Sequence, residues 1–306
     1  MTLPGPLIAI VGPTASGKSA LAERIACELR TSVISVDAMQ VYRGMDIGTA
    51  KVPKDERTCP LLMVDVADID QDYSVKLFQH DGRACIDALL DRGKVPVLCG
   101  GTGLYLNALV DDMRFPAGEM GGRRRTAYEQ LLADKGEEAL YQLLSTRDAQ
   151  SALLIHPHNT RRVIRALEML DEGTSYAEHH KGLKQLEPVY DVRIWGIDVE
   201  RSELYRRIDK RVDYMFAHGL VDEVKRLCSC GLTESKTARQ AIGYKEVLEA
   251  LSGQITMDEA CEKIKTRTRH YAKRQLSWFR RDGRVRWTDV HGPDATAARI
   301  VVDLLS

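Results

Sequence analysis

Residues 7–29 read LIAIVGPTASGKSALAERIACEL. An apolar run, Leu7 to Val11, meets a glycine-rich loop, and Ala20, Leu21, Ile25 and Leu29 then repeat at helical spacing. Strand, loop and helix in that order make Gly12 to Ser19, GPTASGKS, a phosphate-binding P-loop and not a chance glycine turn. The amides of Gly12, Thr14, Ala15, Ser16 and Gly17 line the loop, while Pro13, which has no N–H, shapes it. Together with the positive end of the helix they are expected to cradle phosphate oxygens. Lys18 adds a point charge and Ser19 is placed to hold Mg²⁺. The loop alone does not separate ATP, GTP and other diphosphate esters, because all present the same oxygens.

The units that follow fit the same architecture. Ser32 to Val36 and Leu61 to Val66 (LLMVDV) read as further strands, Leu77 to Leu90 as a helix, and Val95 to Cys99 as a fourth strand. This alternation predicts an α/β fold, a P-loop parallel sheet with helices on both faces. Asp111 to Gly122 has a proline, three glycines and no periodicity, and reads as a linker. Helical patterning then runs from Arg123 to about Gly182 before Val189 to Val199 returns to strand character, and the rest to Gln275 is helical. The expected organisation is a first part of the core at 1–112, a small helical insertion domain at 113–188, and the rest of the core at 189–306 with a helical C-terminal region.

The chain has 306 residues, 44% hydrophobic and 29% charged, with no formal net charge. Any polyanion must therefore be held by local Lys and Arg clusters. Seven cysteines lack framework or zinc spacing and read as free thiols. No apolar run approaches the roughly 20 residues of a membrane helix, and the N-terminus reads as a core strand in place of a signal peptide. A cytoplasmic protein with no membrane association is expected.

In a parallel sheet the strand C-termini share one edge, where ligands bind. The P-loop, Asp37 after the second strand and Thr102 after the fourth should converge there. Asp37 could face the P-loop ligand or cap the following turn. Asp65, at the end of LLMVDV, is either a metal-positioning acid or a structural carboxylate.

The strings GPTASGKS, SVDAMQVYRGMDIGTAK, GGTGLYL, IHPHNTRRVIRALE, ARQAIGYKEV and RHYAKRQLSWFRRD occur in order from Gly12 to Asp282. Over nearly the whole chain the sequence resembles the tRNA dimethylallyltransferases, and without a zinc-finger extension it looks like their bacterial form. The resemblance implies transfer of a dimethylallyl group from dimethylallyl diphosphate to the exocyclic amine of the adenosine 3′ of the anticodon. The P-loop then holds the allylic diphosphate and Mg²⁺, Lys18 meets its charge, Asp37 is the general base, and Thr102 approaches both substrates. It further implies tRNA contacts, in the anticodon stem-loop, from Asp37, Ala38, Met39, Gln40, Thr102, Arg124 and the stretch Arg161, Arg162, Val163, Ile164 and Arg165. A monomer without an obligate protein partner is expected.

Residue chemistry bears on each of these. Gln40 suits an amide reader of the flipped base. Val163, Ile164, Leu167 and Leu170 form an apolar stripe, while Arg161 and Arg165 share the opposite face with Glu168 nearby. That face could equally be a solvated charged surface. Lys263 to Arg286 mixes basic and aromatic residues, which meet phosphates and unpaired bases, and Lys273 and Arg274 are its candidates. Three departures stand out: Ala38 where the family commonly has Ser, His158 and Asn159 where Asn and Asp are usual, and LLMVDV in place of a string with two histidines. The competing functions are a P-loop small-molecule kinase, a prenyltransferase acting on free adenine nucleotides, and a non-catalytic RNA-binding module.

Overall fold

A computed structural model describes residues 3–115, 122–182, 187–289 and 293–305. The chain divides into two compact units, Met1–Asp111 with Pro188–Ser306, and Asp112–Glu187.

The larger unit begins with β1 (Leu7–Val11), α1 (Lys18–Glu28), β2 (Val33–Val36), β3 (Leu61–Leu62), α2 (Val75–Leu90), β4 (Val97–Gly100) and α3 (Gly103–Val110). The smaller unit holds α4 (Arg123–Arg147), α5 (Ala149–Leu154), α6 (Thr160–Asp171) and α7 (Tyr176–Gly182). The larger unit resumes with β5 (Val192–Asp198), α8 (Arg201–Ala217), α9 (Leu220–Cys228), α10 (Tyr244–Leu251), α11 (Met257–Phe279), β6 (Val285–Asp289) and α12 (Pro293–Leu305).

Six parallel strands lie in the order β3-β2-β4-β1-β5-β6. Alternation of side chains across the pleat feeds two cores. Leu7, Ala9 and Val11 face one side with Phe78 and Leu109, whereas Ile8 and Ile10 face the other with Leu21, Ile25 and Ile300. Both faces are therefore covered, as the near-continuous apolar strands predict.

Two readings need correction. The third strand stops at Leu62, because Met63 and Asp65 take left-handed backbone angles (φ 59° and 57°) that end pairing. The sixth strand, VRWTD, lies beyond the region read as helical and closes the sheet edge against β5. Much of the linker expected over Asp111 to Gly122 falls outside the described residues.

A buried carboxylate organises the loop after β2. Glu223 on α9, 2% exposed, accepts the N–H groups of Asp46, Ile47 and Gly48 at 3.1, 2.8 and 3.2 Å and the Tyr244 hydroxyl at 2.6 Å. Beside it Lys51 donates to the Tyr42 carbonyl and to Asp46 and Asp65, at 3.0, 2.7 and 2.7 Å. Asp65 is thus half of an ion pair that fixes this loop, not a metal-positioning acid.

In the smaller unit Leu140, Leu144, Val163, Ile164 and Leu167 form the core. Asn159 caps α6, its side chain accepting the Arg162 N–H at 3.4 Å. Asn and Asp are comparable caps, so this departure leaves the turn intact. Glu223→Ala should strand three amides and a phenol together, costing roughly 3 kcal/mol or more. A urea-unfolding midpoint unchanged from wild type would refute that role.

Candidate active site

The ends of β1, β2 and β4 converge as their common direction requires. Between them lies a cavity of about 570 Å³ lined by Lys18, Ser19, Asp37, Gln40 and Thr102, among others. Gly100 lets the strands close up, since a Cβ there would stand 2.0 Å from the Val36 carbonyl oxygen.

The loop from Gly12 to Ser19 is wound for anion binding. Gly17 takes φ 91° at the start of α1, a conformation that suits glycine. Pro13 accepts Lys18 Nζ at 3.2 Å through its carbonyl. Ala15 turns inward against Leu204 and Ile208. Ser16 Oγ is buried without a hydrogen-bond partner among the described residues, an oxygen left over for a ligand or water. Loss of solvent lowers the pKa of Lys18, and the nearby Arg211 guanidinium lowers it further while Cys99 and Asp37 oppose.

Arg211, on α8, was not picked out by sequence. Its guanidinium reaches Thr14 Oγ1 at 3.5 Å, burial lowers its pKa, and among the described residues it has no carboxylate within ion-pair distance. Lys18, Arg211 and Arg274 face a single lining carboxylate, Asp37. The surplus of positive charge matches a diphosphate. Ile208, Val212 and Met215, on the same helix as Arg211, add an apolar wall to the cavity with Ile242 and Ile264.

Asp37 does both things that the sequence left open. Its Oδ1 accepts the N–H groups of Met39 and Gln40 at 2.8 and 3.3 Å, capping the turn, and the carboxylate also lines the cavity. Thr102 Oγ1 accepts the Ala38 N–H at 3.3 Å, so the two strand ends are tied together. The Ala38 departure leaves that backbone contact in place. Gln40 is already engaged: its Oε1 accepts from Ser35 Oγ at 2.8 Å and its Nε2 donates to the Thr49 carbonyl at 3.1 Å. One donor and one acceptor direction of the amide remain. Beneath Ser19, burial pushes the Cys99 thiol up to about 11, keeping it neutral.

In the smaller unit the predicted RNA stretch separates by face. Arg161 and Arg162 are exposed with no ion pair among the described residues. Arg165 leans to Glu168 at 3.6 Å, and that buried acid also pairs with Arg125 at 3.2 Å. Val163 and Ile164 are 0% and 3% exposed in the core of this unit. Their side chains are packing residues, which corrects their assignment as RNA contacts: they occupy the apolar stripe of α6. Arg124 donates to the Asp171 carbonyl at 3.1 Å.

Comparison with known proteins agrees. A family model described as IPP transferase matches residues 40–282, and one described as isopentenyl transferase matches 5–58. The chain belongs to the IPP transferase family. It is 45% identical over 285 residues to the tRNA dimethylallyltransferase of Carboxydothermus hydrogenoformans, covering 92% of this chain and 91% of that one. The tRNA dimethylallyltransferase of Frankia casuarinae is 45% identical over 301 residues, covering 97% and 100%. Among solved structures, the full-length tRNA isopentenylpyrophosphate transferase of Bacillus halodurans has a TM-score of 0.71 at 40% identity, covering 98% and 95%. A eukaryotic dimethylallyltransferase acting on tRNA has a TM-score of 0.82 at 27% identity, covering 98% and 79%. The chain is accordingly a prenyltransferase.

The lowered Lys18 pKa sets a pH dependence. A bound anion favours the ammonium, so affinity is full below the pKa of free Lys18 and declines as pH rises through it, on the acid side of 10.5. Titration with a diphosphate monoester above pH 8, where its own ionisation near ~6 is complete, should show this decline, and Lys18→Met should abolish it. An equal slope in both proteins would exclude Lys18.

Proposed function

We propose that the chain transfers a dimethylallyl group from dimethylallyl diphosphate to the exocyclic N6 amine of the adenosine just 3′ of the anticodon of tRNA, releasing diphosphate. The observation that carries this is the single cavity joining the cationic loop, the Asp37 carboxylate and an apolar wall. The apolar wall beside the phosphate loop suits a five-carbon allylic group.

The adenine amine is a weak nucleophile, so the electrophile must be made good. The allylic C–O bond breaks with its electron pair passing to the diphosphate oxygen, where Lys18, Arg211 and the loop amides meet the growing negative charge. The amine lone pair forms the C–N bond, and the acidified N–H passes its proton to Asp37. Oδ1 is occupied by two backbone N–H groups, which leaves Oδ2 for the proton. Thr102, held to Ala38, keeps that carboxylate in place.

Mg²⁺ fits as a substrate-bound ion. Ser19 offers an exposed hydroxyl at the first turn of α1, and no cluster of three His, Cys, Asp or Glu among the described residues could hold a metal unaided. Phosphate oxygens and water would complete its shell, and the ion would supply charge neutralisation on the leaving diphosphate. The base must leave its stack to reach the cavity, at a cost of roughly a few kcal/mol, and the free donor and acceptor of Gln40 are suited to meet its edge. Arg161 and Arg162 are suited to phosphate contacts. No helix of the described residues is long and apolar enough to cross a membrane.

With Mg²⁺, labelled dimethylallyl diphosphate and unmodified tRNA, label should enter the tRNA; entry only into AMP would overturn the reading. Asp37→Ala should slow single-turnover transfer by ~10²–10⁴-fold with tRNA binding retained. Chemistry at the wild-type rate would remove Asp37 as the base. Arg161→Ala with Arg162→Ala should weaken tRNA binding and reduce the salt slope by roughly 1.5–2. A slope unchanged in a filter-binding series would return α6 to a solvated face.

A further inference from the structure

Helix α11 sends two side chains to the site that neither phosphate binding nor proton transfer uses. Gln275, 5% exposed, accepts the Thr14 N–H through Oε1 at 2.9 Å and donates from Nε2 to the Gly101 carbonyl at 3.0 Å. A carboxamide accepts at one end and donates at the other. It therefore joins an amide of the phosphate loop to a carbonyl of the loop after β4. One turn earlier, the Tyr271 side chain lines the same cavity, with Gln275 and Thr102 as its polar neighbours.

The contact is tight. A Cβ on Gly101 would lie 2.0 Å from Gln275 Nε2, and one on Gly103 would lie 2.1 Å from Trp278 Cδ1. The helix thus sits directly on the Gly101–Gly103 backbone. With Thr102 bound to the Ala38 N–H, the connection runs from the P-loop through Gln275 and the Gly101–Thr102 backbone to the segment bearing Asp37, and Tyr271 lies beside it.

We infer that Gln275 and Tyr271 are positioning residues which fix the distance between the phosphate loop and Asp37, and so hold the donor carbon and the acceptor amine in reacting register. The inference rests on the transferase reading above. Neither residue needs to touch substrate. Misplacement of reacting groups by about 1 Å can cost on the order of 10²-fold in rate, so the brace acts on turnover more than on affinity.

Single-turnover and steady-state transfer to tRNA would be compared for wild type, Gln275→Met, Gln275→Glu, Tyr271→Phe and the Gln275→Met/Tyr271→Phe pair, with thermal midpoints measured alongside. Gln275→Met loses both bonds, whereas Gln275→Glu keeps the acceptor and loses the donor. We expect a turnover loss of ~10–100-fold in Gln275→Met and ~5–10-fold in Tyr271→Phe, with KM for either substrate within about 3-fold of wild type. The paired variant should be little worse than Gln275→Met alone, because both act on the same Gly101–Thr102 segment. If Gln275→Met does not fold, Gln275→Glu and Tyr271→Phe carry the same test. Wild-type turnover with only a lowered thermal midpoint, a rise in KM alone, or losses that multiply in the pair would each overturn the inference. A wild-type chain that transfers no label would overturn the transferase reading instead.

Discussion

Positive charge gathered without a matching anion is the constraint on which the rest of this structure depends. Lys18, Arg211 and the loop amides converge at the end of β1, and both side chains have lost enough water for their pKa values to fall. Such a site is unfavourable in the free protein and favourable once a diphosphate enters. It has to be held open from outside. The tight β2–β4 approach at Gly100, the Glu223 clamp on the loop after β2, and the seat of α11 on Gly101 and Gly103 all serve that end.

The two substrate chemistries are divided by strand. β1 and α1 carry the phosphate contacts, while β2 carries the acid, and β4 lies between them in the sheet. Thr102, at the end of β4, is consequently the residue through which the two halves are tied. Its hydroxyl accepts the Ala38 N–H, and Tyr271 is its neighbour from α11. That arrangement explains why a hydroxyl follows two glycines here: the backbone must approach closely, and one small polar group must then bridge.

Sequence made the P-loop, Asp37 and Thr102 legible because each follows a strand whose direction fixes its destination. It gave no comparable sign for Arg211 or Gln275, which come from helices about 200 and 260 residues from the loop they serve. Gln275 lies inside RHYAKRQLSWFRRD, where its neighbours Lys273 and Arg274 carry the conspicuous charge. Arg274 does line the cavity, over the Tyr271 ring at 5.5 Å, whereas Lys273 lines a separate one. VRWTD was passed over because its alternation lasts only five residues after a long helix. LLMVDV failed differently: apolar composition suggested a full strand, but the Lys51–Asp65 pair required a turn.

SVDAMQVYRG shows how a stretch can carry several functions without conflict. Asp37 Oδ1 closes the turn on Met39 and Gln40, and the same bonds fix where Oδ2 can go. Capping the turn is therefore how the carboxylate is aimed. Gln40 is treated alike: Ser35 and Thr49 take one end each, and the remaining donor and acceptor of its amide are held in a set orientation. A base edge arriving there meets groups that have already lost their rotational freedom, so less entropy opposes its binding. The ordering of this loop is set in advance by Glu223 and Lys51, which hold it whether or not a ligand is bound.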